Sequence, residues 1–273
     1  MCGRFVYLFI TFLSLDYLQP ANLLLIRNVP STEEHPFDII IFTQFWPQTV
    51  CKEWKEHDSS HTCAMPAKKD SWTIHGIWPT KLGTKTPAFC NRTWLFDPEE
   101  IRPIENEMLA MWPNIEVESH YTLWSHEWSK HGTCAAVLEP LDSQFKYFQQ
   151  GLMWLKKYYI YDILKDAGIT PSDSKQYRIE DIYEAVVKNV SARPAIECDR
   201  EQGANFIVEV RLCFSKTLQI VDCDGIAFLD VDQGSILTNC NPTIGIYYLE
   251  NAVPKSLYVQ FYKLLSWLQW FTL

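Results

Sequence analysis

The stretch His126-Glu-Trp-Ser-Lys-His-Gly-Thr-Cys134 gathers two imidazoles, a carboxylate, an ammonium and a thiol into one short segment. Wound as an α-helix, it sets His131 four residues beyond Glu127 and Lys130 three beyond it, so the three side chains project from much the same face. That face offers an acid–base group, an anion binder and a carboxylate, which suits proton transfer around a phosphate. Gly132 is expected to end the helix, because glycine accepts the left-handed C-terminal position. Cys134 is expected to anchor that end covalently. Zinc is the competing reading, since a zinc-binding His-Glu-x-x-His helix stacks its ligands four apart. Here the second histidine comes five after the first, and Lys130 holds the position a ligand would need. Five residues turn an α-helix through roughly 500°, so His126 and His131 are expected to diverge by about 140°, and no metal is expected there.

A second constellation lies upstream, Ser71-Trp-Thr-Ile-His-Gly-Ile-Trp-Pro79. Trp72, Ile74, Gly76 and Trp78 alternate with Thr73, His75 and Ile77, a strand-like period expected to end at Pro79. A histidine in an apolar strand is by itself most simply a satisfied core residue. Beside a glycine that admits a close approach, and alongside the 126–134 segment, His75 becomes a site candidate.

The wider chain is predicted to be organised as a leader over residues 1–35, one domain over 36–250 and an apolar tail over 251–273. Residues 37–45 read as a buried strand. Residues 52–70, with Glu53, Lys55, Glu56, His57 and Asp58, read as a hydrophilic loop whose charge run is a solvated face. Helical spacing appears over 103–111, 144–165 and 177–190, and the first of these tolerates Pro103 in its opening turn. Residues 206–214 and 218–223 alternate as a hairpin. Helices grouped around a mainly antiparallel central sheet define an α+β class.

Nine cysteines in 273 residues fit an oxidising compartment. Cys2 falls in the leader, which leaves eight, and the sequence alone does not choose their pairing. No close Cys-x-x-Cys pair supports a metal reading. Arg4 precedes Phe5-Val-Tyr-Leu-Phe-Ile-Thr-Phe-Leu-Ser-Leu15, an apolar run of signal-peptide length and short for a membrane span. The sequons at Asn91 and Asn189 agree with export, whereas Asn241-Pro-Thr243 is excluded by its proline. In the tail, Leu257, Phe261, Leu264, Leu265 and Leu268 line one side of a helix, with Trp267 and Trp270 widening the apolar surface. Packing on the domain is the simpler expectation, and contact with a membrane interface or a partner is the alternative. The net charge of -9 argues against tight, sequence-specific duplex binding. A small site needs only local cations such as Lys130 and a protonated histidine, and an acidic compartment reduces the negative charge.

Together, Trp72-Thr-Ile-His-Gly-Ile-Trp-Pro79 and His126-Glu-Trp-Ser-Lys-His-Gly-Thr-Cys134 resemble the two active-site signatures of the T2 family of acid ribonucleases. The second matches throughout, and the first differs at Ile77, where leucine is usual. Phe42-Thr-Gln-Phe-Trp-Pro-Gln-Thr-Val-Cys51 resembles the family's first core strand and the cysteine after it. The resemblance spans residues 37–248 and implies the same disulfide-stabilised α+β fold. It implies the pairs Cys51–Cys63, Cys90–Cys134, Cys198–Cys240 and Cys213–Cys223. It also implies His131 as general base, His75 as general acid, Glu127 and Lys130 as charge stabilisers and His126 as a phosphate binder. Trp78 and Gln44 are base-site candidates, with a buried strand tryptophan and a loop cap as their alternatives. Thr80 stands where many relatives carry Asp or Asn, so no base preference is carried over.

The expected function is therefore cleavage of single-stranded RNA by 2′-hydroxyl transesterification to 2′,3′-cyclic phosphate ends. No cofactor or metal is expected, the expected pH optimum is acid, and the protein is expected to be a monomer. A secreted or lysosomal (endomembrane-lumen) location follows from the resemblance. The rival expectation is a secreted binding or signalling protein on a ribonuclease scaffold.

Overall fold

The computed structural model describes residues 37–84, 86–116, 119–201, 203–226 and 236–252. The leader, Cys2 and the tail from residue 253 onward lie outside them. The described strands are β1 (Ile39–Phe45), β2 (Thr73–Thr80), β3 (Gln176–Tyr177), β4 (Ala195–Glu201), β5 (Ala204–Phe214), β6 (Ile220–Val221), β7 (Leu237–Thr238) and β8 (Ile246–Tyr247). The described α-helices are α1 (Pro47–His57), α2 (Pro98–Ile101), α3 (Glu105–Met111), α4 (His120–Glu127), α5 (Thr133–Ala135), α6 (Gln144–Lys157), α7 (Ile160–Asp166) and α8 (Ile179–Val190).

The seven residues of β1 are all buried, as an almost uninterrupted apolar run requires. This strand is flanked by β2 on one side and β5 on the other, both antiparallel. The sheet continues β2-β1-β5-β4-β7, with β6 and β8 also on β5 and β3 on β8. Only β4–β7 and β5–β8 run parallel among the described pairs, so the sheet is mainly antiparallel. The main core lies between the sheet and the helices, where Phe42 meets Trp154 and the Trp154 ring stacks on Phe214 at 3.9 Å. Ile39 and Ile41 pack instead in a smaller cluster with Ala195 and the Cys213–Cys223 bridge.

Several boundaries differ from the sequence expectations. Residues 52–57 are helical, not loop: Pro47 opens α1, and Lys52 turns inward at 8% exposure. Its ammonium bonds Asp199 and Glu201 from β4 and Glu56 one turn on, so the charge run is only partly a solvated face. The 144–165 helix is two helices broken at Tyr158, and Tyr177 belongs to β3, just ahead of α8. The turn carrying Pro103 is a 3-10 turn (Arg102–Ile104) that leads into α3. Pro79 does not end β2, which runs to Thr80. Because β2 is at the sheet edge, a residue without an N–H is tolerated there.

Four disulfides tie the fold: Cys51–Cys63, Cys90–Cys134, Cys198–Cys240 and Cys213–Cys223. Cys90–Cys134 closes 44 residues of chain, a constraint worth roughly 4 kcal/mol on a chain-entropy account. No helix among the described residues is long and apolar enough to cross a membrane.

Candidate active site

Buried tryptophans and a tyrosine hold the His75 strand from behind. Trp112 Nε1 donates to the His75 carbonyl at 2.9 Å, Trp124 Nε1 to the Trp112 carbonyl at 2.8 Å, and Tyr147 Oη to the Ile77 carbonyl at 2.8 Å. The β1–β2 register steps from Thr43↔Gly76 to Gln44↔Ile74 and leaves His75 without an opposite residue. That bulge breaks the expected alternation, and bulges beside sites re-aim the side chain they carry. The ring of His75 meets Phe45 at 5.3 Å and Trp78 at 5.0 Å.

Opposite, α4 runs without a break into a π-turn, Trp128–Gly132, and then into α5. Thr133 N–H reaches back to the Trp128 carbonyl, an i→i+5 bond. Gly132 therefore does not end the helix. It stays right-handed, and a β-carbon there would overlap the Trp128 indole. The wider turn also overturns the expected divergence of His126 and His131. Residues five apart return to one side of a π-turn, and the two rings lie 6.4 Å apart. Donor atoms of His126, Glu127 and His131 fall within 4.8 Å of one another, so spacing no longer argues against a metal. The charge of Lys130, which disfavours protonation of both histidines, opposes a bound cation just as directly.

Trp78 joins the two halves. Its Nε1 donates to Glu127 Oε2 at 2.9 Å, and its ring is also 5.7 Å from that of His131. Glu127 is 2% exposed, and burial raises its pKa to about 7 despite opposing contributions from His75, Trp78 and Lys130. His131 is 7% exposed, and its Nδ1 has no hydrogen-bond partner among the described residues. Burial, followed by the charges of Lys130, His126 and His75, pulls its pKa down to about 2. The pKa of His126 is lowered by burial and then by Lys130 and His75. His75 goes the other way: burial favours the neutral ring, but Glu209 outweighs it and raises the pKa.

Trp78→Phe is expected to cost about 1–3 kcal/mol, because it strips a donor from a buried carboxyl while keeping a ring. Urea unfolding checks this, and an unchanged midpoint would show that the bond is dispensable.

A cavity of about 210 Å³ is lined by Trp78, Thr80, Thr86, Lys130, His131 and Arg211, among others. A second, of about 150 Å³, is lined by His75 together with Phe45, Glu53, Asn114, Glu116 and Glu209, among others. Gln44 reaches neither. It is fully buried, its Nε2 donates to the Tyr158 carbonyl and its Oε1 accepts from Ile160 N–H, so it caps the α6–α7 break, the alternative to a base contact. Asn91 and Asn189 are both exposed, and Asn91 closes a tight turn with Thr93. The Cys90–Cys134 bridge fixes the end of the π-turn, where Phe89 N–H also donates to the Lys130 carbonyl.

The sequence reading missed Glu209, Arg211 and Glu53. Glu209 Oε1 lies 2.5 Å from His75 Nδ1, and Arg211 holds the other oxygen through Nε at 2.9 Å and a terminal nitrogen at 2.7 Å. The available signal was two charges at i and i+2 among Val208, Val210 and Leu212, an unusual pattern for a central strand.

Two imidazoles biased to opposite protonation states suit general acid–base chemistry, and Lys130 offers an ammonium to an anion beside His131. Residues 37–223 match the model of the Ribonuclease T2 family. The chain is 37% identical over 197 residues to Ribonuclease T2 of Sus scrofa, covering 69% of this chain and 90% of that one. It is 36% identical over 188 residues to Ribonuclease Oy of Magallana gigas, covering 67% and 85%. Among solved structures, human RNase T2 superposes with a TM-score of 0.64 at 32% identity, over 78% of this chain and 99% of that one. RNase NT in complex with 5'-AMP superposes with a TM-score of 0.64 at 33% identity, over 78% and 98%. The chain belongs to the Ribonuclease T2 family and is a T2-type endoribonuclease.

Proposed function

We propose that the chain cleaves single-stranded RNA by attack of a ribose 2′-oxygen on the adjacent phosphorus, expelling the 5′-oxygen of the next nucleotide. The products are a 2′,3′-cyclic phosphate and a free 5′-hydroxyl. His131 accepts the 2′-hydroxyl proton and His75 delivers a proton to the departing oxygen. Lys130 and Glu127 stabilise the crowded phosphorane, Glu127 as a neutral donor below its pKa of about 7. His126, exposed at the rim, binds a phosphate. The Trp78 ring, half-buried at the 210 Å³ cavity, is the surface offered to a base. Side chains supply every proton in this scheme, so it uses no metal.

The observation that carries the reading is the opposite bias of the two imidazoles that flank Trp78. A base must start neutral, and His131 is neutral above about pH 2. An acid must start charged, and His75 keeps its proton past the ordinary value of 6.5. Activity is therefore highest on the acid side and falls as pH rises through the His75 pKa, by about tenfold per unit. A monomer acting in the secretory or lysosomal lumen, with glycans at Asn91 and Asn189, fits the four disulfides.

The test is cleavage of single-stranded RNA at mildly acidic pH with chelator present, followed by analysis of the new ends. Chelator-resistant cleavage to cyclic ends is expected. Inhibition by chelator would instead assign His126, Glu127 and His131 to a metal. No cleavage by a correctly bridged sample would favour a binding protein on this scaffold.

A further inference from the structure

The carboxylate behind His75 belongs to neither signature. Glu209 comes from the middle of β5, two strands away from β2 across β1, and is 7% exposed. Its two oxygens are divided between tasks: Oε1 meets His75 Nδ1 at 2.5 Å, and Oε2 takes both Arg211 bonds. Arg211 is itself gripped by Glu197 from β4 and lies over the Trp78 ring at 5.4 Å. A chain of alternating charge, Glu197–Arg211–Glu209–His75, thus crosses the sheet into the site. A carboxylate bonded to one ring nitrogen of a histidine fixes its orientation and leaves the other nitrogen for chemistry.

We propose that Glu209, anchored by Arg211, is the positioning residue of the RNA-cleaving reaction: it takes the Nδ1 proton of His75 in a hydrogen bond, leaves Nε2 to protonate the departing oxygen, and sets the upper pH limit of activity. This rests on His75 being the general acid. The proton that leaves His75 in the reaction is the Nε2 proton. Glu209 keeps its charge throughout and is neither acid nor base in the step.

Other charged groups surround His75, and each pulls in a definable direction. Glu127 on α4 supports the charged ring only when it is ionised, above its pKa of about 7, whereas Arg211 opposes it. His126 and His131, across the site, repel a charged His75 when they are themselves charged. Glu53 of α1 and Glu116 share the 150 Å³ cavity with His75. Burial raises the Glu53 pKa to about 8, so this carboxyl is neutral through the acid range. Glu209 is the carboxylate in hydrogen-bond contact with the ring, and Arg211 beside it holds it ionised.

Two readouts on wild type, E209Q and E209D test the proposal. One is kcat/KM on a single-stranded RNA oligonucleotide across about pH 4 to 8. The other is the NMR titration of the His75 ring, assigned by its loss in His75→Gln. In E209Q the His75 midpoint and the alkaline limb are expected to fall together by about 1 unit or more, the usual effect of removing a contacting charge. The loss of activity should therefore grow with pH, and E209D should restore most of it. An unmoved His75 midpoint, or an equal loss at every pH, would overturn the proposal and reduce Glu209 to packing. A midpoint that falls while the alkaline limb stays fixed would overturn the acid role of His75 itself, leaving the pairing as geometry without consequence. Wild type alone gives a check independent of how the variants fold: a His75 midpoint below the ordinary histidine value would also overturn the proposal.

Discussion

Replacing His131 by alanine is expected to lower kcat by about 10²–10⁴-fold, the range for losing a positioned general base. In free-energy terms that is roughly 3–5 kcal/mol of lost transition-state stabilisation. The buried Nδ1 of His131 has no hydrogen-bond partner among the described residues, so removing the ring breaks no such bond there. Backbone bonds of the π-turn and the Cys90–Cys134 bridge stay in place. The protein should therefore fold, bind RNA with a KM near that of wild type, and fail at the chemical step. Single-turnover cleavage at saturating enzyme measures that step directly. Added imidazole, reaching the cavity beside Trp78 and Lys130, is expected to restore part of the rate. A variant retaining more than about a tenth of the wild-type rate would remove His131 from the base role.

Gly76→Ala is the second large effect, and it follows from space alone. A β-carbon at Gly76 would overlap both Glu127 Oε2 and Trp78 Nε1, the two atoms of the bond that joins strand to helix. One of those side chains must move, and Glu127 sits one residue beyond His126 on the helix that continues to His131. Displacement of a site group by about 1 Å commonly lowers the rate around 100-fold. The expected signature is a kcat loss of that order with native circular dichroism and a lowered melting temperature. Activity within about threefold of wild type would show that Glu127 and Trp78 need not meet for catalysis.

These predictions draw unequally on sequence and structure. The strand at β1 and the helix at α6 were readable because apolar spacing along them is local and nearly uninterrupted. The start of α6 is fixed by a serine cap, Ser143, whose side chain accepts from Lys146 N–H. By contrast, residues 52–57 of α1 look like loop in the sequence because Lys52 and Glu53 look solvated. Glu56 is a local partner, but the acidic side chains of β4 that complete the site of that lysine come from far along the chain. Gln44 is ambiguous in the sequence for a related reason. Its neighbours in sequence say nothing about the α6–α7 break, whose free backbone groups it bonds.

By itself the sequence determined the chemical inventory: which groups titrate, which strand carries His75, which helix carries Glu127, Lys130 and His131, and that the class is α+β. Those properties depend on residue identity and short-range spacing. Tertiary structure decided how that inventory is used. It chose the cysteine partners, introduced the π-turn that returns His126 to the side of His131, and placed Glu209 of β5 against His75 of β2. The opposite protonation biases of His75 and His131 also arise there. A pKa is set by burial and by charges within a few ångströms, and those neighbours come from distant parts of the chain.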